Sequence, residues 1–477
     1  MQPKKIMSSK KEQLFVFIAC FFLFMGIGRI FTLVGHNPVL AYANSYDMIR
    51  LQACHQIWPA DKFVNITTGT PAAPLRRYTL DKHVDTPCFP SSELIFTSIG
   101  IELGKLKNLV SGESLISIKT IGFVKALFLS LTALIVSIYF YRKQLYVALL
   151  TNATVMLMAL SDPGVTLYLN TFYTEFSAVY FLYIALVGVV IWAQAHYRAL
   201  ASWLLLIGLV GLGFSKPQHM ALACSFGVML SVYALYQKNI RAIPAILLCA
   251  SLPLLLQISG GYTPRNASMI RVENINVVGS LLSRTPTPRV LLADLGLPES
   301  CQVLAGKNGY NPILQQKNIC PEVSQLSTST VLLTLTKHPL LFAGLIASTL
   351  EQQKNWIVDL YGQVERERYG SVSNYQRSIA NVAHQLPKDF FSYLFAASLL
   401  VAVIATLAHR NPTHSKAHHY LFLLLGVLTI LIVNTVLQSG LVGVDKNIQL
   451  CLPLTVTLVL VIFFVLATQP LQPSSAR

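Results

Sequence analysis

Three polar stretches carry side chains suited to acid–base and anion chemistry, and each borders a long apolar run. The first is Tyr42-Ala43-Asn44-Ser45-Tyr46-Asp47-Met48-Ile49-Arg50, directly after the first apolar run. A carboxylate here can take a proton from a hydroxyl as that hydroxyl attacks, so Asp47 is a candidate general base and Arg50 a candidate substrate contact. The plainer alternative is a solvated Asp–Arg pair. The second stretch, Tyr168-Leu169-Asn170-Thr171-Phe172-Tyr173-Thr174-Glu175, runs straight into another apolar segment. A carboxylate in or beside a membrane span costs up to about 2.5–3.5 kcal/mol, so Glu175 is expected to face a polar cavity. It could also serve only as a helix N-terminal acid. Asn170 and Tyr173 are candidate substrate contacts, or ordinary residues of an interfacial belt.

The third stretch is Ser215-Lys216-Pro217-Gln218-His219. An ammonium group at a membrane edge suits a phosphate head group, with Gln218 and His219 adding hydrogen bonds. A snorkelling lysine is the alternative. Two further cations are phosphate candidates: Arg29, in the outer half of the first apolar run, and Lys446, beside Asp445 just before the last.

What must position these residues is a membrane bundle. Over the 477 residues, 53% are hydrophobic and only 12% charged, about half the charge of a soluble protein. Continuous apolar runs of bilayer-spanning length indicate an all-α polytopic membrane protein rather than a closed barrel. About ten spans are expected, near 14–34, 120–141, 145–161, 174–194, 199–215, 219–236, 242–258, 390–408, 419–438 and 448–468. Ala41-Tyr42-Ala43 could pass for a signal-peptidase site. The first run is long for a signal core and holds Arg29, so a retained anchor is expected.

Positive charge supports the count. Lys4, Lys5, Lys10 and Lys11 precede the first span, and Arg142, Lys143, Arg198, Lys238, Arg241, Arg410 and Lys416 all fall on the same side. That side is then cytoplasmic. The expected organisation is a tail and first span (1–34), an outer loop (35–119), spans two to seven (120–258), a second outer loop (259–389) and the last three spans with a tail (390–477). The net charge of +16 lies mostly in short inter-span loops and forms no dense basic block, so membrane lipids are expected partners and nucleic acid is not.

Cysteine placement agrees. Cys54 and Cys88 fall in the first outer loop and Cys301 and Cys320 in the second, two per loop. Disulfides Cys54–Cys88 and Cys301–Cys320 are expected in an oxidising compartment. An amphipathic helix is expected over Ser91–Leu109, lying along the interface with Glu93, Glu102, Lys105 and Lys107 between its apolar positions. Another is expected from about Pro339. No internal repeat, nucleotide-binding loop or serine-hydrolase elbow is present. An enzyme of this kind would use substrates carried on lipids. No cluster with metal-ligand spacing appears, so no cofactor is expected, although a divalent metal stays open.

These motifs in this order resemble the GT-C-type membrane glycosyltransferases, and within them the bacterial glycan-biosynthesis hexose transferase family typified by WsfD. The likeness rests on Tyr46-Asp47-Met48-Ile49-Arg50, on the stretch ending at Glu175, on Ser215 to His219, and on a run in the second loop. That run goes from Arg271-Val272-Glu273-Asn274 through Ser283-Arg284-Thr285-Pro286 to Leu295-Gly296-Leu297-Pro298 and Leu304-Ala305-Gly306. The resemblance implies a GT-C-like bundle with two large extracytoplasmic loops in a bacterial cytoplasmic (inner) membrane. It implies a polyprenyl-phosphate sugar donor, a glycan or lipid acceptor, and a base in the first outer loop, which by position is Asp47. Glu175 stands at the acid of the second motif and would orient the acceptor or substitute as base. This chain departs from the pattern in having Tyr46 where glycine is common before the acid, and Lys446-Asn447 where many relatives carry Arg-Tyr. Two other classes share the composition. A lipid-linked sugar flippase would show inverted repeats. A glycan polymerase or ligase would depend on Arg265 or Arg271.

Overall fold

The computed structural model describes residues 10–441 apart from 44–45, 61–73, 82–85, 194–197, 237, 260–266, 310, 312–313, 315–318, 353–363, 366–389 and 409–414. Lys446 and the expected span at 448–468 lie outside the described residues.

The chain is mostly helical. Helix α1 (Lys10–Gly35) leads into α2 (Tyr46–His55), two short strands β1 (Trp58–Pro59) and β2 (Arg77–Thr79), α3 (Leu94–Ser111) and β3 (Leu115–Ser117). The strands form an antiparallel sheet in the order β1-β2-β3. They are a departure from the all-helical expectation. At two or three residues each they are too short to show alternation in sequence. The bundle continues with α4 (Ile118–Arg142), α5 (Tyr146–Val155) extended by a π-turn (Met156–Leu160), α6 (Pro163–Thr166), α7 (Glu175–Ala193), α8 (Arg198–Gly213), α9 (Pro217–Tyr236) and α10 (Ile243–Ile258).

The second long segment contributes α11 (Ala267–Leu282), α12 (Pro288–Asp294), α13 (Thr328–Lys337) and α14 (Pro339–Gln352), followed by α15 (Phe390–Ala408) and α16 (Ser415–Ser439). It has its own core, in which Val278, Leu281, Leu291, Leu304 and Leu335 are buried together. The expected interfacial helices correspond to α3 and to α14, which starts at Pro339 as expected. A 112° bend at His338 separates α13 from α14.

Each expected span up to 438 is helical. Among the described residues five helices are long and apolar enough to cross a membrane, or six if α13 and α14 count as one bent span. The count of about ten is therefore not reached on length and apolarity. The apolar helices at 146–160, 199–213, 390–400 and 425–437 are shorter. Helix α7 is the centre of the bundle, with 94% of its Glu175–Trp192 window buried. It packs closely on α8 because Gly208 lacks a side chain: a Cβ there would sit 2.7 Å from the backbone of Ala185. Small residues at such crossings let helix backbones approach.

Local signals account for the ends that matter here. Asp162 caps α6 by accepting from the Gly164 N–H at 2.9 Å, with Pro163 at the first helical position. Both choices suit a helix start. Helix α3 stops at Gly112, whose φ of +71° puts it in the left-handed region, the usual glycine stop.

Candidate active site

Five tertiary contacts gather distant turns at one end of the bundle. The Lys119 ammonium at the start of α4 donates to the Gly35 carbonyl at the end of α1, 3.1 Å away. The Tyr42 N–H donates to the Leu167 carbonyl at 3.2 Å, and the Tyr173 hydroxyl to the Ala43 carbonyl at 3.2 Å. The Ser92 N–H donates to the Phe214 carbonyl at 3.0 Å. The Asn434 amide near the end of α16 reaches the Gln218 carbonyl at 2.8 Å. The loops carrying Asp47, Glu175 and Lys216 therefore share one end, as separate outward turns meeting in space would require.

The segment 161–174 opens on Asp162-Pro163-Gly164, a turn signal that predicts exposure, yet it is not exposed. Ser161 to Thr174 are all buried. Tyr168 packs against Tyr42 with ring centroids 4.5 Å apart and edge-on to Tyr173 at 5.7 Å. Asn170 donates its amide to the carbonyls of Val34 and Leu40, both at 3.2 Å. It fits there because residue 122 is glycine; a Cβ at that position would lie 1.9 Å from the Asn170 Oδ1. In this structure Asn170 ties the end of α1 to the segment, and Tyr173 ties the loop before α2 to it. Neither tie was foreseen as an anchor.

Glu175 opens α7 and is buried; its Oε1 accepts from the Lys216 ammonium at 3.0 Å. Lys216 keeps 18% of its side chain exposed against 6% for Glu175, so the cation is the reachable partner. Glu175 Oε2 is buried and makes no hydrogen bond among the described residues. The Gln218 amide donates to Glu273 of α11 at 3.2 Å, which joins the third motif to the second-loop motif. His219 is buried, and its Nδ1 shares a hydrogen bond with the Ser215 hydroxyl at 2.8 Å. Asp47 lies in the first turn of α2, with Arg50 one turn on; both are partly exposed. Arg29 lies on α1, partly exposed.

Sequence reasoning missed a pair of charges beneath this cluster. The Lys125 ammonium lies 2.6 Å from the Glu93 carboxylate with neither side chain exposed. Lys125 also donates to the carbonyls of Tyr168 and Thr171 at 3.2 and 2.7 Å and sits over the Phe176 ring. The other Glu93 oxygen accepts from the Ser177 N–H at 2.8 Å. Burial pushes the Glu93 carboxyl pKa upward while Lys125 pulls it down. The signal was present: a lysine within the apolar run 120–141 costs several kcal/mol unless neutralised.

The expected disulfides are present. Cys54–Cys88 joins α2 to the extended segment before α3, and Cys301–Cys320 closes the second-loop core. The second-loop motif holds that core together. Arg271 donates to the Ile319 carbonyl at 2.8 Å, and Asn274 to the carbonyls of Val323 and Leu326 at 2.8 and 3.0 Å.

His55, at the end of α2, shares a hydrogen bond with the Thr97 hydroxyl of α3 at 2.8 Å. Burial, aided by Lys105 and opposed by Glu102, lowers its pKa to about 4. The unfolded imidazole, with an ordinary pKa of ~6.5, takes a proton before the folded one does. The contact between α2 and α3 is thus at full strength above about pH 6.5 and loses up to ~3 kcal/mol as pH falls to about 4. Amide hydrogen exchange in detergent should show α2 opening more readily at pH 4.5 than at pH 7, and His55→Gln should flatten that difference. Equal protection of α2 at both pH values in the native protein would refute the assignment.

A family model described as "YfdI N-terminal transmembrane domain" matches residues 73–466, most of the chain. The chain belongs to the YfdI N-terminal transmembrane domain family. The match supports a multi-pass membrane protein of glycosyltransferase-like type, and it does not single out the WsfD-like family. No curated protein and no solved structure matches the chain. The YfdI-family segment contains Glu93, Lys125, Glu175, Lys216 and the second-loop motif; Arg29, Asp47, Arg50 and Cys54 precede it.

Proposed function

We propose that this protein is a GT-C-type glycosyltransferase of the bacterial cytoplasmic membrane. It moves a hexose from a polyprenyl-phosphate donor to an envelope glycan or lipid acceptor on the extracytoplasmic face. The observation that carries the reading is the meeting of the first loop, the Glu175 segment and the Lys216 turn at one end of the bundle, with a partly exposed ammonium held by a buried carboxylate. The family match supports the same class.

In this mechanism the Asp47 carboxylate accepts the proton of an acceptor hydroxyl as its oxygen bonds to the anomeric carbon. The bond from that carbon to the phosphate oxygen breaks, and its electron pair leaves with the polyprenyl phosphate. Lys216 stabilises the departing charge, with Arg29 and Lys446 as further candidates. A single displacement inverts the anomeric centre. Glu175 orients the acceptor, and Arg50, Tyr173, Gln218 and His219 line its approach. Asn170 acts through the backbone it ties. Arg271 is engaged with a loop carbonyl, which favours transfer over an arginine-dependent polymerase or ligase.

The lipid-linked glycan profile of a deletion strain tests the reading. A product lacking one hexose is expected; an unchanged profile would exclude it. Lys216→Ala should raise the KM for donor by at least about tenfold with a smaller fall in kcat, since an ammonium–phosphate contact is worth ~1.5–3 kcal/mol. Donor dependence equal to that of the native protein would remove Lys216 from the phosphate site.

A further inference from the structure

Four charges alternate in sign beneath the polar end: Glu93, Lys125, Glu175 and Lys216. The inner pair is fully buried at 2.6 Å and the outer pair is bridged at 3.0 Å. Lys125 is also within electrostatic reach of Glu175.

The inner pair grips the chain on both sides of Glu175. Lys125 holds the Tyr168 and Thr171 carbonyls before it. Glu93 holds the Ser177 N–H after it. Glu93 is itself set in place by the neighbouring serines, which donate to the Ser215 carbonyl at 2.7 Å and the Gly211 carbonyl at 2.8 Å. One buried salt bridge thus relates three elements: the segment entering α7, the first turn of α7, and the end of α8 just before Lys216. A buried ion pair contributes no more stability than well-packed apolar side chains of the same volume. Its use here calls for a role other than stability. The atom it sets in position is Glu175 Oε2, which is buried without a hydrogen bond among the described residues and can accept one from a hydroxyl.

We propose that the Glu93–Lys125 pair is a positioning device that holds Glu175 in register, so that Oε2 receives an acceptor hydroxyl while Oε1 stays with Lys216. The inference rests on the glycosyltransferase reading and names two residues which that reading does not use.

The test is a double variant, Glu93→Gln with Lys125→Met, which removes both charges and keeps the volume. It should reach the membrane and melt above Lys125→Met alone, because no unpaired buried charge remains, with the remaining loss coming from the Tyr168 and Thr171 carbonyls left without this donor. Transfer is measured in membranes with undecaprenyl phosphate carrying the hexose that the deletion strain lacks. The expected result is a kcat at least about tenfold lower with a donor KM within about twofold, because Lys216 is intact. Adding Glu175→Gln should cost little more, since residues acting through one group are not additive. A native kcat in the double variant, or losses that multiply with Glu175→Gln, would overturn the proposal. Should the double variant fail to accumulate, Glu93→Asp, which keeps both charges but shortens the reach to the Ser177 N–H, is read in the same way. Asp47→Asn is run in parallel. If it is active, the base lies elsewhere and Glu175 is tested next; the underlying reading fails only if the glycan profile of the deletion strain is unchanged, and if that profile lacks a hexose beside a fully active pair variant, only the positioning role fails.

Discussion

Asp47→Asn is expected to reduce hexose transfer by about 10³-fold while leaving the protein folded in the membrane. The amide keeps the volume and loses the proton acceptor, and general base catalysis supplies roughly 10²–10⁴-fold. The fold should tolerate the change because α2 is anchored elsewhere. Its far end is tied by Cys54–Cys88 and by the His55–Thr97 hydrogen bond. The loop before it is tied by Tyr42 and Ala43 to the 167–173 segment. The measurement is the glycan profile of the deletion strain carrying the variant, at membrane levels matched to the native protein. Near-native product would move the base elsewhere, and Glu175 would be the next group to test.

Lys125→Met made alone should be the most destabilising single change in the described bundle. It leaves the Glu93 carboxylate with no exposure and no counter-charge, and it strips a donor from two buried carbonyls. Breaking one side of a buried pair costs about 3–5 kcal/mol. Melting in detergent and membrane yield would both fall, and adding Glu93→Gln should restore the part of the loss that comes from the unpaired charge. An unchanged melting temperature for Lys125→Met would mean that the pair carries no such energy. The contrast separates two roles: the single variant reports stability, and the neutral double variant reports positioning.

Some of this could be read along the chain. The helices at every described span follow from apolar runs, since a backbone in lipid must satisfy its own hydrogen bonds. Both disulfides followed from two cysteines per loop. Other features could not be read this way. The 161–174 segment has the composition of an exposed turn, yet all of it is buried. Its tyrosines and Asn170 find partners on α1 and in the first loop that lie more than a hundred positions away. The three-stranded sheet pairs runs too short to leave a pattern. Lys125 was visible as an oddity in an apolar run, but its partner Glu93 looked like one polar position of an amphipathic helix.

What the sequence determined by itself was a chain of apolar helices broken by polar turns, with acids and lysines at the turns and cysteines in the two long loops. Apolarity, charge bias and helix length are local quantities, so they survive in one dimension. Which turn meets which was decided only by packing. Glu175 pairs with Lys216 and Glu93 with Lys125 because α3, α4, α7 and the α8–α9 turn come together in the fold. Once packing brings these elements together, each desolvated charge requires an opposite charge that lies tens of positions away, and no local pattern encodes that pairing.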